Sequence, residues 1–101
     1  MAELLSDQEL TEALSHLPRW QRAGDTIETT AELPSFPAAI AVVNRVAEIA
    51  ESVGHHPDID VRWRKLTFRL STHSEGGLTA KDTGLAAQID EVLDVSSATP
   101  S

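Results

Sequence analysis

Three of the chain's four histidines fall within twenty residues: the doublet His55-His56, followed at once by Pro57, and His73 at the end of the run STH. Imidazole is the one ordinary side chain that changes charge between about pH 5 and 8, so near neutrality it both donates and accepts protons. Three such rings within reach of one another suit general acid–base chemistry on a polar substrate. Neutral histidine also ligates zinc, nickel and copper, but adjacent histidines point apart on extended backbone and no carboxylate stands at an obvious ligand spacing, so no metal is expected. A structural reading stands beside both: a His-His-Pro corner past a helix end can simply cap carbonyls, and a lone surface histidine is ordinarily just a polar residue.

Whether the rings meet depends on the elements that carry them. His55 and His56 follow a helix that ends at Gly54, where the negative end of the dipole, and Glu51 one turn earlier, favour imidazolium. Pro57 fixes its own φ and holds His56 extended, so the doublet sits on a stiff corner. From Asp58 the pattern alternates, with Ile59, Val61 and Trp63 on one side and Asp58, Asp60 and Arg62 on the other; Leu66, Phe68 and Leu70 repeat it. These are two paired strands with a turn near Arg64-Lys65, a register in which His56 faces His73. On the same alternation Trp63 belongs to the core.

Ser6-Asp7-Gln8-Glu9 is a capping box with Leu5 and Leu10 as a hydrophobic staple, and Leu10, Leu14 and Leu17 continue the helix to Pro18. Trp20 to Ala23 and Thr26 to Leu33 are β-prone runs around the turn pair Gly24-Asp25. Ser35 caps the second helix, with Pro37 in its first turn. Two apolar stripes on that helix span an arc of about 180°, wider than the ~100° a surface helix needs for its own core. Half of that surface is expected to face another subunit in a homodimer or homotetramer. After the SEGG loop, Thr79 to Asp82 caps a last helix through Leu85, Ile89 and Val92.

The order α-β-β-α-β-β-α predicts an α+β fold: a four-stranded antiparallel sheet with three helices on one face, in a single domain over residues 1–95, with a flexible tail over 96–101. The other sheet face, bearing Arg62, Arg69 and several threonines, is left open. A length of 101 residues with 41% hydrophobic and 24% charged composition suits one globular domain. A net charge of −8 repels phosphate backbones and anionic lipid, so neither nucleic acid nor membrane is an expected partner. The cluster Arg62, Arg64, Lys65 and Arg69 is read as a solvated strand face. The absence of cysteine excludes disulfides, thiolate catalysis and cysteine-based zinc sites. The start MAELLSDQEL has no signal-peptide pattern and no stretch could span a bilayer, so a cytoplasmic protein is expected.

Glu51, His55-His56-Pro57, Trp63, His73 and Asp82, at these separations, resemble the signature of the pterin-4a-carbinolamine dehydratase family. The flanking NRVAEIAE, STH and GGLTAKD segments are similar to it as well, and the likeness runs from SDQEL to AAQID. It implies dehydration of 4a-hydroxytetrahydropterin to quinonoid dihydropterin, recycling the cofactor of aromatic amino-acid hydroxylases, with the pterin as substrate and no further cofactor. It also implies that His55, His56 and His73 surround the pterin, that Gly54, Ser71 and Thr72 supply neighbouring contacts, and that Trp20 covers the ring. Which imidazole is acid and which is base stays open. Trp20 reads equally as a core anchor, Asp82 as structural support in the Thr79 capping box, and Glu51 as orienting His55 or solvating the helix end. Gly54 and Ser74 depart from the resemblance, since members often carry acidic residues there, and Glu75 comes one place late. A second class of function is implied too, because relatives act as a dimerisation cofactor of a homeodomain transcription factor or in enzyme assembly.

Overall fold

The reciprocal cap at the first helix, α1 (Asp7–Ser15), closes as its residues dictate: the Glu9 amide donates to Ser6 Oγ at 3.1 Å and the Ser6 amide to the Glu9 carboxylate at 2.9 Å. Two donors that the helix leaves orphaned are thereby satisfied. These coordinates are a computed structural model that describes residues 3–101. Strands β1 (Gln21–Ala23) and β2 (Thr26–Glu32) flank a turn in which Gly24 takes φ 63°. Helix α2 (Phe36–Val53) starts where Ser35 Oγ accepts from the Ala38 amide and stops at Gly54, whose φ of 66° is the left-handed conformation that glycine adopts without steric cost. Strands β3 (Asp58–Arg62) and β4 (Lys65–Leu70), a 3₁₀ turn over His73–Glu75, helix α3 (Ala80–Val95) and a two-residue strand β5 (Thr99–Pro100) complete the chain.

The sheet is antiparallel in the order β1-β2-β4-β3. Ile27, Ala31, Leu66, Phe68 and Leu70 turn inward and meet Leu10 of α1, Val42 and Val46 of α2, and Leu85, Ile89 and Leu93 of α3 in one buried core. The other face is polar: Arg69 donates to Glu28 at 3.1 Å, and Thr30 shares a 2.8 Å hydrogen bond with Thr67. The α+β architecture with its helices on one face is therefore as expected, with one strand more. On α2 the inward residues Ala39, Val42, Val46 and Ala50 are buried, whereas Phe36 and Ile40 on the adjoining stripe, and Val53 at the C-terminal end of the helix, remain exposed. Among the described residues no helix is long and apolar enough to cross a membrane.

Two local expectations are corrected. The turn between β3 and β4 is Trp63-Arg64, with Arg62 paired to Lys65, rather than Arg64-Lys65. Trp63 is consequently no core residue; it stands at the hairpin tip, 83% exposed and at φ 54°. In the observed register Ile59 pairs with Phe68, Val61 with Leu66 and Arg62 with Lys65, which leaves Trp63 past the last rung. Within the segment 96–101 a short pairing forms. β1 covers only the beginning of β2, and Thr99 and Pro100 pair with Glu32 and Ala31 at its other end, where ladder groups would otherwise lack partners. Ala98 packs on the core beneath.

Candidate active site

The corner that carries the doublet is built by the end of α2. The Gly54 amide donates to Ala50 O and Glu51 O, and the His55 amide donates to Ala50 O at 3.2 Å, so the chain leaves the helix in one defined direction. Across the hairpin, the β3–β4 register carried onward sets His56 level with Ser71 and His55 level with Thr72. The expected pairing of His56 with His73 is thus displaced by two residues, because moving a turn by one residue moves each cross-strand partner by two. His73 still reaches the same region. Thr72 and Gly77 bridge through amide-to-carbonyl bonds of 2.9 and 3.4 Å, and the 3₁₀ turn between them folds His73 back toward the corner.

Gly54, His55, His56, Ser71, Thr72 and His73 line one open cleft of about 250 Å³, joined by Ser74 and Lys81. That volume is below the ~300–1,000 Å³ of enclosing ligand sites, so the cleft is shallow and open to solvent. Three larger hollows, of about 470, 490 and 510 Å³, lie on the open sheet face, between α2 and α3, and at the hairpin tip. None of them is lined by an imidazole, and size alone does not make a catalytic site. A groove of about 280 Å³ lined by Val53, Gly84, Leu85 and Gln88 shares His55 and Lys81 with the histidine cleft.

The three rings have different surroundings. His55 is nearly buried, and its Nε2 lies 2.6 Å from Oδ1 of Asp82, whose side chain is wholly buried. His56 is exposed and bonds at 3.2 Å to the exposed Glu51, a pairing of little energetic weight. His73 is exposed at the start of its turn, and no hydrogen bond to its ring is formed among the described residues. Asp82 therefore does more than cap: its Oδ2 accepts from the Thr79 amide at 2.9 Å and from Thr72 Oγ1 at 2.7 Å, while Oδ1 holds His55. Glu51 orients His56, not His55. Among the described residues no group of three or more histidine, cysteine, aspartate or glutamate side chains is disposed to hold a metal ion.

Trp20 is not brought to this cleft. It is a core residue, 4% exposed, and its indole N–H donates to Asp90 of α3 at 2.8 Å. Burial pushes the Asp90 carboxyl above its ordinary 3.8, partly offset by the Trp20 bond and by Arg19, while Asp94 adds to the rise. Folding thus favours the protonated form of Asp90. Stability is expected to fall as pH rises from 3.8 through the elevated folded value, then to level off. Asp90→Asn keeps an acceptor for Trp20 without the charge. Its thermal midpoint near neutral pH is expected to exceed wild type by a few degrees, with the gap closing below the ordinary carboxylate range; a gap independent of pH in calorimetric scans would contradict the assignment.

Sequence reasoning missed Lys81 as a lining residue and Thr79 as a partner of Thr72. Lys81 lies between the cap Thr79 and Asp82 and has no histidine spacing to announce it. The Thr72–Thr79 contact would have needed the bridged loop to be foreseen.

Known proteins are similar to this chain over most of their length. The family model described as Pterin 4 alpha carbinolamine dehydratase matches residues 3–92. A Nocardia farcinica protein provisionally named as that dehydratase is 63% identical over 90 residues, covering 89% of this chain and 95% of its own. A Roseiflexus castenholzii protein of the same provisional name is 60% identical over 93 residues, 92% of this chain and 100% of its own. Among solved structures, a transcriptional coactivator/pterin dehydratase from Brucella melitensis aligns with a TM-score of 0.86 at 28% identity, over 89% of this chain and 98% of that one. A pterin dehydratase-like protein identified as a RuBisCO assembly factor in the alpha-carboxysome aligns with a TM-score of 0.60 at 20% identity, over 73% of this chain and 86% of that one, a likeness of fold alone.

Proposed function

The chain belongs to the pterin-4-alpha-carbinolamine dehydratase family, and from that premise we propose that it removes water from 4a-hydroxytetrahydropterin by imidazole acid–base catalysis, yielding quinonoid dihydropterin. The observation that carries this reading is the convergence of His55, His56 and His73 on one cleft, with His55 anchored by a buried carboxylate.

The chemistry needs two proton transfers. The C4a–O bond breaks with its electron pair going to oxygen, which leaves as water once an acid protonates it. The ring nitrogen that supplies the compensating electron pair gives its proton to a base. His55 suits the base. Its Nε2–H is committed to Asp82, so in the neutral ring Nδ1 carries the lone pair; Nδ1 makes no hydrogen bond and is not sealed from solvent. His56 and His73, on the outer side of the cleft, supply the acid. Gly54, Ser71 and Thr72 shape its floor by backbone and packing, since Ser71 Oγ donates to Asp25 O at 2.9 Å and is not directed at a ligand. No step in this scheme calls on a cofactor or metal. In the cell the reaction would return the spent cofactor of an aromatic amino-acid hydroxylase in the cytoplasm.

The test is the loss of the 4a-hydroxyl from chemically generated carbinolamine, followed by ultraviolet absorbance. Wild-type protein at catalytic concentration is expected to accelerate it well above the buffer rate, and a rate equal to buffer would reject the activity.

The exposed apolar pair Phe36 and Ile40 on the outer stripe of α2 favours a second role in association. We assign it to self-association as a homodimer or homotetramer, in line with an acidic surface that offers no nucleic acid footprint. Light scattering at micromolar protein is expected to show more than one subunit, and a strict monomer would overturn it. The alternative is an interaction or assembly factor of the same fold, which would leave the stripe exposed until a different protein binds.

A further inference from the structure

Thr72, Thr79 and Asp82 are buried polar side chains grouped behind His55, and none of the three hydroxyl and carboxylate groups faces open solvent. Buried polar groups persist where their hydrogen bonds are complete, so the proton order in such a cluster is worth assigning. An ionised carboxylate only accepts. Oδ2 of Asp82 takes the Thr79 amide at 2.9 Å and the Thr72 hydroxyl at 2.7 Å, which spends the one proton Thr72 has. The 2.8 Å contact between Thr72 Oγ1 and Thr79 Oγ1 must then be made by the Thr79 proton. Thr79 Oγ1 in turn accepts from the Lys81 amide at 3.2 Å. The reverse order strands the Thr79 proton, because its other neighbour, the Lys81 N–H, is itself a donor. All hydrogens therefore run one way: Lys81 amide to Thr79, Thr79 to Thr72, Thr72 to Asp82. With both lone-pair directions of Oδ2 filled, Oδ1 is the oxygen left for His55, at 2.6 Å. Asp82 lies in the first turn of α3.

We propose that Thr79 and Thr72 are positioning residues for the dehydration: their one-way chain of hydroxyl hydrogen bonds locks the Asp82 carboxylate in place, and thereby holds His55 with its proton on Nε2 and its lone pair on Nδ1. The assignment rests on His55 as the base in the reaction proposed above. It also changes the part expected of Thr72, whose hydroxyl is spent inside the protein and is not a substrate contact.

The decisive measurement is the ring state of His55 in full-length ¹⁵N-labelled protein, read from long-range ¹H–¹⁵N correlations, together with kcat and KM for carbinolamine. In wild type the neutral ring is expected as the Nε2–H tautomer, with hydroxyl protons of Thr72 and Thr79 slowed enough by burial to be observed. Thr72→Val removes a hydrogen bond to a charged group and is expected to mix the tautomers and lower kcat about 10- to 100-fold with KM little changed. Thr72→Ser is expected to restore both the ring state and most of the rate, which a purely steric role for the side chain would not do. An Nδ1–H ring in wild type, a folded Thr72→Val protein with unchanged ring state and kcat, or a Thr72→Ser protein as impaired as Thr72→Val would each overturn the proposal. Should Thr72→Val not fold, the wild-type ring and hydroxyl signals still decide. They need no substrate, so a chain that keeps the Nε2–H ring yet leaves carbinolamine at its buffer rate sinks the activity and not the hydroxyl chain.

Discussion

Replacing His55 is expected to remove most of the dehydration rate, a loss of about 10²–10⁴-fold, the worth of a positioned proton transfer. His55→Ala confuses that loss with another, because it leaves the buried Oδ1 of Asp82 without its 2.6 Å partner, and an unpaired buried charge destabilises the fold. His55→Gln is the cleaner variant: its amide N–H can still donate to Asp82, but no lone pair of useful basicity remains where Nδ1 stood. The expected outcome is a folded protein with nearly the same thermal midpoint and almost no catalysis. His56→Ala and His73→Ala disturb no buried bond, since both rings are exposed, and each is expected to lose most of the acceleration while remaining folded. Wild-type rates in all three positions, measured by the same ultraviolet assay, would reject imidazole catalysis in this cleft.

The second large effect is expected at Asp82, where one atom changes and the volume does not. The Thr79 amide and the Thr72 hydroxyl both present donors to the position of Oδ2. In Asp82→Asn the amide oxygen must occupy that position, because the NH₂ group there would meet two donors. The NH₂ group then faces His55 Nε2, which has to become an acceptor and send its own proton to Nδ1. The base is blocked by its own hydrogen. The same substitution in a serine-protease triad forces the wrong tautomer at a cost of about 10⁴ in kcat, and a fall of at least about 10²-fold is expected here by the same reasoning. A folded Asp82→Asn protein with undiminished kcat would show that Asp82 serves the helix cap alone. Asp82→Ala is the poorer test, since it leaves two donors and the imidazole facing a void.

The parts of this architecture that were legible in the chain are those written in local chemistry. Ser6 with Glu9, Ser35 with Pro37, and Thr79 with Asp82 announced three helix starts, and Gly54 announced the end of α2, because caps and left-handed residues act within a single turn. The histidine doublet is plain in the sequence, and its nearness to His73 is expected from the hairpin, but the observed register sets His56 level with Ser71 and it is the bridged Thr72–Gly77 loop that brings His73 to the same cleft. Misreadings arose where the deciding force is tertiary. Tryptophan is β-prone, neither Trp63-Arg64 nor Arg64-Lys65 carries a turn signal, and both registers set apolar residues opposite apolar ones, so alternation alone does not fix the end of β3; the structure pairs Arg62 with Lys65. Thr99 and Pro100 pair with the end of β2 that the short β1 leaves uncovered, a property of a different part of the chain. Trp20 takes the core place, one of its two readings, with a bond to Asp90 seventy residues away, and Asp82 joins His55 across twenty-seven. No spacing rule spans such distances without the fold in hand.

The two tryptophans are placed as differently as one small domain allows, Trp20 shut in the core against Asp90 and Trp63 standing free at the hairpin tip. Their intrinsic fluorescence therefore divides. Trp63 emits from water whether the chain is folded or not, while Trp20 emits from an apolar setting until denaturant admits solvent to it, so the red shift of an unfolding titration belongs almost wholly to one indole. Neither ring lines the histidine cleft, so a ligand bound there touches neither indole.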